Sequence, residues 1–320
     1  MGDLRDTVLD VEVDDTRSAP LPDVWSPTSV NTFIKCPLAY WWQYAQGWRT
    51  APTAALEAGS LVHGVLEELM DLVPAERTKE RAREIYAERA SELALTLDPR
   101  VDAEDLRSRA GTAMTSYFEL EDPQLVEVLP DGLERSVSAQ LDGVAIAGSV
   151  DRLEFSVGGA RVVDYKTGGA KPRYAEAYWR QLMLYAGMLD ETGMDVSEVG
   201  LMYLGQPARL MVRPTPESAL TRASRDLTTA ADSRAEFVAT HRWEARTGPL
   251  CSYCPFRTAC PARSQRQVPT PGSDASHDAL GRLPELVWRP RQREGSGSAD
   301  SGVSGSEVSG SGVTGSEGSD

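Results

Sequence analysis

Two aspartates and a lysine lie close together in a stretch that has the pattern of a β-hairpin. An alternating apolar strand carries Asp151, a Gly158-Gly159 turn follows, and the second strand ends with Asp164 and Lys166. Mg²⁺ and Mn²⁺ prefer oxygen ligands, so the two carboxylates and the backbone carbonyl of Tyr165 could hold such an ion. A bound divalent ion would polarise a phosphodiester, and the neighbouring ammonium would offset developing charge.

Lysine is a rare residue in this chain. Only four of the 33 basic residues are lysines, so arginine supplies almost every other positive charge. A compact ammonium placed two residues after an aspartate is chemically distinct from a guanidinium, which favours a specific role for Lys166. The alternative is a solvated hairpin with an ordinary Asp–Lys surface pair, which would contribute little to stability. The hairpin by itself leaves both interpretations open.

Two helices carry further polar candidates. We expect one helix to begin near Gly59, which would place His63 beside an apolar face and close to the helix N-terminus. Its imidazole could either bond a backbone carbonyl or turn inward as a metal ligand. A second helix is predicted over 175–189, where Gln181 and Tyr185 are four residues apart and share one face. These two groups could contact a phosphate, or simply lie at the edge of a buried helix.

All four cysteines belong to one candidate metal site. Cys251, Cys254 and Cys260 are grouped near the end of the predicted domain, and Cys36 lies near its start. Clustered thiols beside prolines suit a metal better than a disulfide in a reducing compartment. Zinc sites made of cysteine usually contain two CxxC pairs, whereas an iron-sulfur cluster accepts three grouped cysteines and a distant fourth. The spacing therefore favours a cluster and leaves zinc as the alternative.

Composition limits the class of protein. The 320-residue chain has a net charge of −15, so a nucleic acid would have to meet a local basic groove or metal ions rather than the overall field. The sequence contains no run of 18 apolar residues, and it begins with acidic residues rather than with a basic and then apolar stretch. We therefore expect a cytoplasmic protein that has no contact with a membrane.

The remaining pattern predicts one large domain with acidic tails. Residues 1–24 are predicted to be a disordered acidic arm, and residues 295–320 a disordered Gly/Ser-rich acidic tail. Between them we predict a domain over 25–265, in which two amphipathic helices at about 77–121 form a helical insertion. Residues 266–294 have little periodicity and are expected to be an extended segment.

Four short motifs in sequence order, together with the cysteine frame, resemble those of a known family. They are Gly59-x3-His63, Gly148-Ser149-Val150-Asp151, Asp164-Tyr165-Lys166-Thr167-Gly168, Gln181-x3-Tyr185 and the four-cysteine frame. Together they resemble RecB-type nucleases of the PD-(D/E)XK superfamily, in the iron-sulfur subgroup that includes CRISPR-adaptation nucleases and AddB-type nuclease domains. The resemblance covers about residues 25–265, and Ser149 departs from the arginine that the family often has there.

The resemblance implies an α/β restriction-endonuclease-like core, with a mixed central sheet flanked by helices. An iron-sulfur staple would join the N- and C-terminal segments, with a [4Fe-4S] cluster on Cys36, Cys251, Cys254 and Cys260. It also implies roles in the active site. The implied metal ligands are His63, Asp151 and Asp164, Lys166 is the implied catalytic lysine, and Gln181 and Tyr185 are implied to support the site.

These inferences lead to two functional hypotheses. The first is a Mg²⁺- or Mn²⁺-dependent deoxyribonuclease that acts as an exonuclease on single-stranded DNA or DNA with free ends, in repair, recombination or processing. The second is a non-catalytic DNA-binding or assembly module that retains the fold. An inactive relative would be expected to lose a carboxylate or the lysine, and Asp151, Asp164 and Lys166 are all present. The chain has no P-loop, so any helicase partner would be a separate protein.

Overall fold

Helices and strands alternate along the chain in the pattern of an α/β protein. The computed structural model describes residues 7–171, 175–264 and 267–290. The strands are β1 (Val8–Glu12), β2 (Trp48–Thr50), β3 (Val128–Leu141), β4 (Val144–Ser156), β5 (Gly159–Lys166), β6 (Val196–Tyr203), β7 (Arg209–Pro214), β8 (Arg242–Arg246) and β9 (Leu286–Trp288). The helices are α1 (Pro27–Lys35), α2 (Pro37–Tyr44), α3 (Ala54–Asp71), α4 (Lys79–Thr96), α5 (Ala103–Leu120), α6 (Ala175–Asp190), α7 (Glu217–Thr240) and α8 (Asp274–Gly281).

The central sheet has five strands in the order β3-β4-β5-β6-β7. Neighbours are antiparallel except β5 and β6, which are parallel and connected through α6, as a parallel pair requires. The predicted Asp142-Gly143 turn joins β3 to β4, with a positive φ at both residues. The predicted Gly158-Gly159 turn is wrong by one residue, because Gly159 already pairs with Ser156 and the turn is formed by residues 157–158.

Helices cover both faces of this sheet and bury alternate strand residues. Helices α1, α2, α6 and α7 share one apolar core with Val162 and Leu201. Helices α3, α4 and α5, of which the last two lie in the predicted insertion, share a second core with Val163 and Met202. Since successive strand residues point to opposite faces, this alternation confirms a mixed sheet flanked by helices. None of the helices in the described residues is both long and apolar enough for a membrane span.

Both ends of the described chain contain secondary structure that the sequence pattern did not indicate. β1 lies inside the predicted disordered arm and pairs with β8, and α8 and β9 lie inside the predicted extended segment, where β9 pairs with β2. Both predictions are therefore wrong for these residues, since each strand finds its partner near the opposite end of the sequence. The predicted acidic tail, 295–320, lies outside the described residues.

A buried ion-pair cluster lies behind the hairpin and comprises Glu121, Arg152, Glu154 and Tyr165. The Arg152 side chain is 1% exposed, and its Nη1 and Nη2 lie 2.5 Å from Glu121 Oε1 and 2.7 Å from Glu154 Oε2. Its Nη1 also donates to the Tyr165 hydroxyl at 2.8 Å. Burial raises the pKa of Tyr165 well above its usual range, so this phenol stays protonated. The cluster ties the end of α5 to β4 and β5.

Candidate active site

The predicted carboxylates meet where the backbone pairing of β4 and β5 stops. The last pair on this side is Arg152–Val163, so Asp151 and Asp164 lie one residue beyond it. Oδ2 of Asp151 accepts a hydrogen bond from the Tyr165 backbone N–H at 2.8 Å. The carboxylate therefore takes the place of a backbone acceptor and holds the two strands at the point where they separate.

His63 reaches this point from the middle of α3. The helix begins at Ala54, after the side-chain cap of Thr53, and not near Gly59, so the predicted position of His63 near the helix N-terminus is wrong. His63 Nε2 lies 3.0 Å from the Tyr165 carbonyl oxygen, the atom that the sequence predicted as a metal ligand. The helix thereby holds the imidazole beside β5.

The second nitrogen of His63 faces an acidic group. Nδ1 lies 3.5 Å from Asp151 Oδ2. When Nε2 of a neutral imidazole donates its proton to the Tyr165 carbonyl, Nδ1 directs a lone pair at the carboxylate. Two electron-rich atoms then face each other, an arrangement that a cation between them would stabilise.

Glu134 is a third acidic residue of this site, and the sequence analysis did not single it out. Ligand atoms of His63, Glu134 and Asp151 all lie within 4.8 Å of one another, close enough to hold one ion. Glu134 lies in an irregular part of β3, with a φ of 40°, and accepts a hydrogen bond from Ser149 Oγ at 3.1 Å. The serine that departs from the family pattern thus orients a carboxylate.

A signal in the sequence could have found Glu134. The Asp142-Gly143 turn places Leu141 opposite Val144. An equal count of residues back along β3 and forward along β4 then brings Glu134 opposite Asp151. The register of a two-residue hairpin follows from its turn in this way.

The Asp151 carboxyl group is electrostatically strained. Burial, followed by the nearby Asp164 carboxylate, raises the pKa of Asp151 to about 6, against the opposing influence of His63. An ionised carboxylate with such a raised pKa gains more than an ordinary one from a bound cation. The site therefore favours a positive charge at Asp151 under neutral conditions.

Asp164 is held by the predicted lysine and glutamine. Lys166 Nζ donates to Asp164 Oδ1 at 2.8 Å and lies 2.6 Å from Oδ2, while Gln181 Nε2 is 3.5 Å from Oδ1. Oδ2 is buried, and among the described residues no donor reaches it at a hydrogen-bond angle. Burial lowers the pKa of Lys166, but the Asp164 carboxylate outweighs this and the net pKa is raised. Lys166 is therefore an ammonium, suited to stabilise charge rather than to accept a proton.

Tyr185 closes the site from α6. Burial, and then the Asp151 and Asp164 carboxylates, raise the pKa of Tyr185 to about 12. A Cβ at Gly148 would lie 2.8 Å from the tyrosine ring, so the glycine is needed for this close approach. Gln181 and Tyr185 thus both face the acidic residues, on the side of the helix that their spacing predicted.

The four cysteines are all free and line one cavity of about 210 Å³. Cys36 lies between α1 and α2, and Cys260 is the most buried of the four. Burial raises the pKa of Cys260 to about 12 and also raises that of Cys254. Within the described residues these thiols do not form a group tight enough to hold a single ion, unlike His63, Glu134 and Asp151.

The sequence profile of the PD-(D/E)XK nuclease superfamily matches residues 24–261. The chain belongs to this superfamily. A crystal structure of a candidate exonuclease from Eubacterium rectale is 11% identical, covers 78% of this chain and 91% of its own, and has a TM-score of 0.47. The crystal structure of SSO0001 is 15% identical, covers 77% of this chain and 89% of its own, and has a TM-score of 0.36. Neither likeness adds to the superfamily assignment, and no curated protein matches the chain.

The residues of this PD-(D/E)XK site fit a divalent cation. The donor set is one imidazole and carboxylate oxygens, which suits Mg²⁺ or Mn²⁺. The raised pKa of Asp151, whose carboxylate faces His63 and Glu134, is the feature that a bound cation would relieve. Residues of this nuclease that would hold the ion are His63, Glu134, Asp151 and Asp164.

Proposed function

We propose that this protein is a Mg²⁺- or Mn²⁺-dependent deoxyribonuclease that acts as an exonuclease on single-stranded DNA or DNA with free ends. The observation that carries the proposal is the joint position of His63, Glu134 and Asp151, within 4.8 Å of one another and beside the Asp164–Lys166 pair. A non-catalytic module does not require carboxylates that can bind a cation beside the Lys166 ammonium. The superfamily match supports the hydrolytic reaction.

The side chains divide the work of phosphodiester hydrolysis. A divalent cation, when bound, supplies Lewis-acid polarisation and a water of lowered pKa. Glu134, Asp151 and Asp164 would hold that ion, and His63 is oriented towards it by the Tyr165 carbonyl. The Lys166 ammonium is placed to stabilise the negative charge that develops on the phosphate as water attacks and the leaving oxygen departs. Gln181 keeps the Asp164 carboxylate oriented.

A cleft of about 960 Å³ gives access to this chemistry. His63, Lys166 and Gln181 are among its lining residues, so the polar groups of the site open into it. A cleft of this kind suits a polymer that must present one bond to the site. We propose that DNA is the polymer, because a lysine-bearing cleft offers a local basic surface on an otherwise acidic chain.

For the cysteines we propose a [4Fe-4S] cluster of the RecB-type iron-sulfur subgroup, joining the N- and C-terminal segments. Support comes from the four thiols that line one cavity. A cluster binds one thiolate at each iron and so spreads its cysteines wider than zinc, which holds its sulfurs about 3.8 Å apart. Iron and sulfide analysis of anaerobically purified protein tests this, and one zinc per chain without iron would contradict it.

The cellular setting is also a proposal. We infer a role in DNA repair, recombination or processing, in the cytoplasm, where thiols remain reduced. A helicase that delivers single strands would be a separate partner, since the chain has no P-loop of its own.

The proposal is tested by cleavage of end-labelled single-stranded and duplex DNA with Mg²⁺ or Mn²⁺. We expect the wild-type protein to degrade DNA only with metal, and Asp164→Ala and Lys166→Ala to abolish degradation. Two exposed residues provide matched controls, Asp190→Ala at the end of α6 and Lys79→Ala at the start of α4, which should leave cleavage unchanged. Metal-independent cleavage, or cleavage retained in Asp164→Ala, would contradict the proposal.

A further inference from the structure

Most lysines of this lysine-poor chain line the cleft. Three of the four lysines, Lys35, Lys166 and Lys171, line the cleft. Lys35 and Lys171 are exposed, and neither forms an ion pair with any residue that the structure describes. The fourth lysine, Lys79, lies outside the cleft over the ring of Phe118. Unpaired ammonium groups on a chain with a net charge of −15 mark a local surface for an anion.

The other charged groups of the cleft are already neutralised. Glu176 lies 3.1 Å from Arg213, and Arg180 forms an ion pair with Asp226. The net free charge along the cleft is therefore that of Lys35 and Lys171, together with whatever the metal site contributes. A phosphate backbone is the polymer that complements such a row.

Two tyrosines add flat apolar surface to the same cleft. Tyr178 is 37% exposed, and Lys166 Nζ lies 4.7 Å from the centre of its ring. Tyr253 is 76% exposed, the largest exposed fraction of any Phe, Trp or Tyr in the described residues. Aromatic rings beside lysines are the surface on which single strands bind, because each base can stack on a ring while its phosphate meets a cation.

The two ends of the cleft belong to different parts of the fold. Lys166 and Tyr178 lie at the catalytic end, whereas Tyr253 lies between Cys251 and Cys254, and Lys35 precedes Cys36. The segments that carry Cys36, Cys251 and Cys254, here called the cysteine segments, therefore supply the surface that a DNA strand meets away from the scissile bond. In duplex DNA the bases stack on one another, so no base face is available to Tyr253.

We propose that one DNA strand lies along this cleft, with a base stacked on Tyr253 and phosphates on Lys35 and Lys171. This subsite rests on the proposed nuclease function, and it assigns the single-strand preference to the cysteine segments. Lys166 and Tyr178 would then receive the next part of the same strand at the catalytic end.

The test is fluorescence anisotropy with labelled oligo(dT) of about 20 nucleotides in EDTA, where wild-type protein binds without cleavage. Tyr253→Ala should weaken binding about 5- to 100-fold, and Tyr253→Phe should restore it, since stacking needs only the ring. Phe155→Ala, which removes an exposed aromatic ring outside the cleft, is the matched control and should bind as wild type. Duplex binding should change less than single-strand binding.

The lysines give a second readout, in which Lys171 lies away from all four cysteines in the sequence. The slope of log affinity against log salt is negative, and Lys35→Ala and Lys171→Ala should each reduce its magnitude by about 0.7. Lys79→Ala should not change it. Unchanged oligo(dT) binding in Tyr253→Ala, with unchanged salt slopes in both lysine variants, would overturn the subsite. Binding lost in these variants while wild type cleaves no DNA would sustain the subsite and contradict the nuclease proposal instead.

Discussion

Two clusters of charged residues lie on neighbouring positions of β4 and β5, and they differ in how far their charges are paired. In the buried ion-pair cluster, Arg152 is surrounded by Glu121, Glu154 and the Tyr165 hydroxyl. One residue away on each strand, Asp164 pairs with the Lys166 ammonium, whereas Asp151 and Glu134 add acidic groups that no ammonium contacts among the described residues. The first cluster is sealed, whereas the second opens towards a cleft.

The difference separates a structural use of charge from a functional one. Arg152 already has two carboxylates and a phenol oxygen as partners, and removing this buried cation would leave Glu121 uncompensated. Three carboxylates beside one ammonium, with the pKa of Asp151 raised, are incomplete without a further positive charge. The four following predictions separate the two clusters, from the largest expected effect to the smallest.

Loss of the central cation of the buried ion-pair cluster should cost the most stability. Arg152→Met leaves Glu121 without its cation and Glu154 with Arg161 alone, so we expect the free energy of unfolding to fall by about 3–5 kcal/mol. Urea unfolding followed by circular dichroism measures it. Arg83→Met breaks an exposed pair with Glu80 and should change stability by less than about 0.5 kcal/mol. Equal losses of stability in the two variants would contradict the distinction between this buried cluster and an exposed ion pair.

Loss of the single cation of the active site should instead cost activity. Lys166→Met is expected to lower the rate of DNA cleavage about 10²- to 10³-fold, because the ammonium no longer stabilises the developing phosphate charge. Manganese binding, measured by electron paramagnetic resonance, should not weaken, since a competing positive charge has been removed. Weaker metal binding in this variant would show that Lys166 organises the ligands rather than the transition state.

The raised pKa of Asp151 predicts a stability gain on substitution. The folded-state pKa of about 6 exceeds the ordinary 3.8, so the ionised carboxylate destabilises the metal-free fold above about pH 6, and this penalty disappears as the pH falls below about 4. Asp151→Asn can still accept from the Tyr165 N–H. In EDTA at about pH 8 we expect it to be more stable by about 1–3 kcal/mol.

That gain should fade on acidification, when the wild-type carboxyl group takes up its proton. Thermal unfolding of both proteins across the pH range measures the difference. A gain that stays constant with pH would mean that the carboxylate is not strained.

The smallest effect should come from the residue that the sequence analysis missed. Glu134→Gln keeps the shape of the side chain and its contact with Ser149 but removes one negative charge. We expect Mn²⁺ affinity to fall about tenfold, measured by isothermal titration calorimetry. Glu80→Gln, on the exposed surface of α4, is the control and should bind metal as wild type. Unchanged affinity in Glu134→Gln would restrict the metal site to the sequence-predicted ligands.

Local patterns were sufficient for the hairpin and the helices that carry the site. The alternation around Asp151 and Asp164 gave β4 and β5, and the spacing of Gln181 and Tyr185 gave their common face on α6. Gly59 misled the prediction for His63, because the helix begins at Ala54 and runs through this glycine. To predict the position of Glu134, the register of the hairpin had to be counted from its turn, because no motif contains this residue.

Pairing between distant segments could not be predicted from local patterns. β1 is only five residues long, and its partner β8 lies far along the chain, so the acidic character of the N-terminal segment masked a real strand. The cysteines illustrate the same limit, because spacing can group Cys251, Cys254 and Cys260 but cannot give the distances between their sulfur atoms or to Cys36. Such information resides in the tertiary fold alone.

The pairing of β1 with β8 also sets an order of events on the ribosome. Every residue of the active site, as far as Tyr185, has been synthesised before β8 exists, and about 60 more residues must be added to complete that strand. At translation rates of roughly 5–20 residues per second, these about 60 residues take about 3–12 s. During this interval the nascent protein has all of these site residues but also an open strand edge, at which another chain can pair.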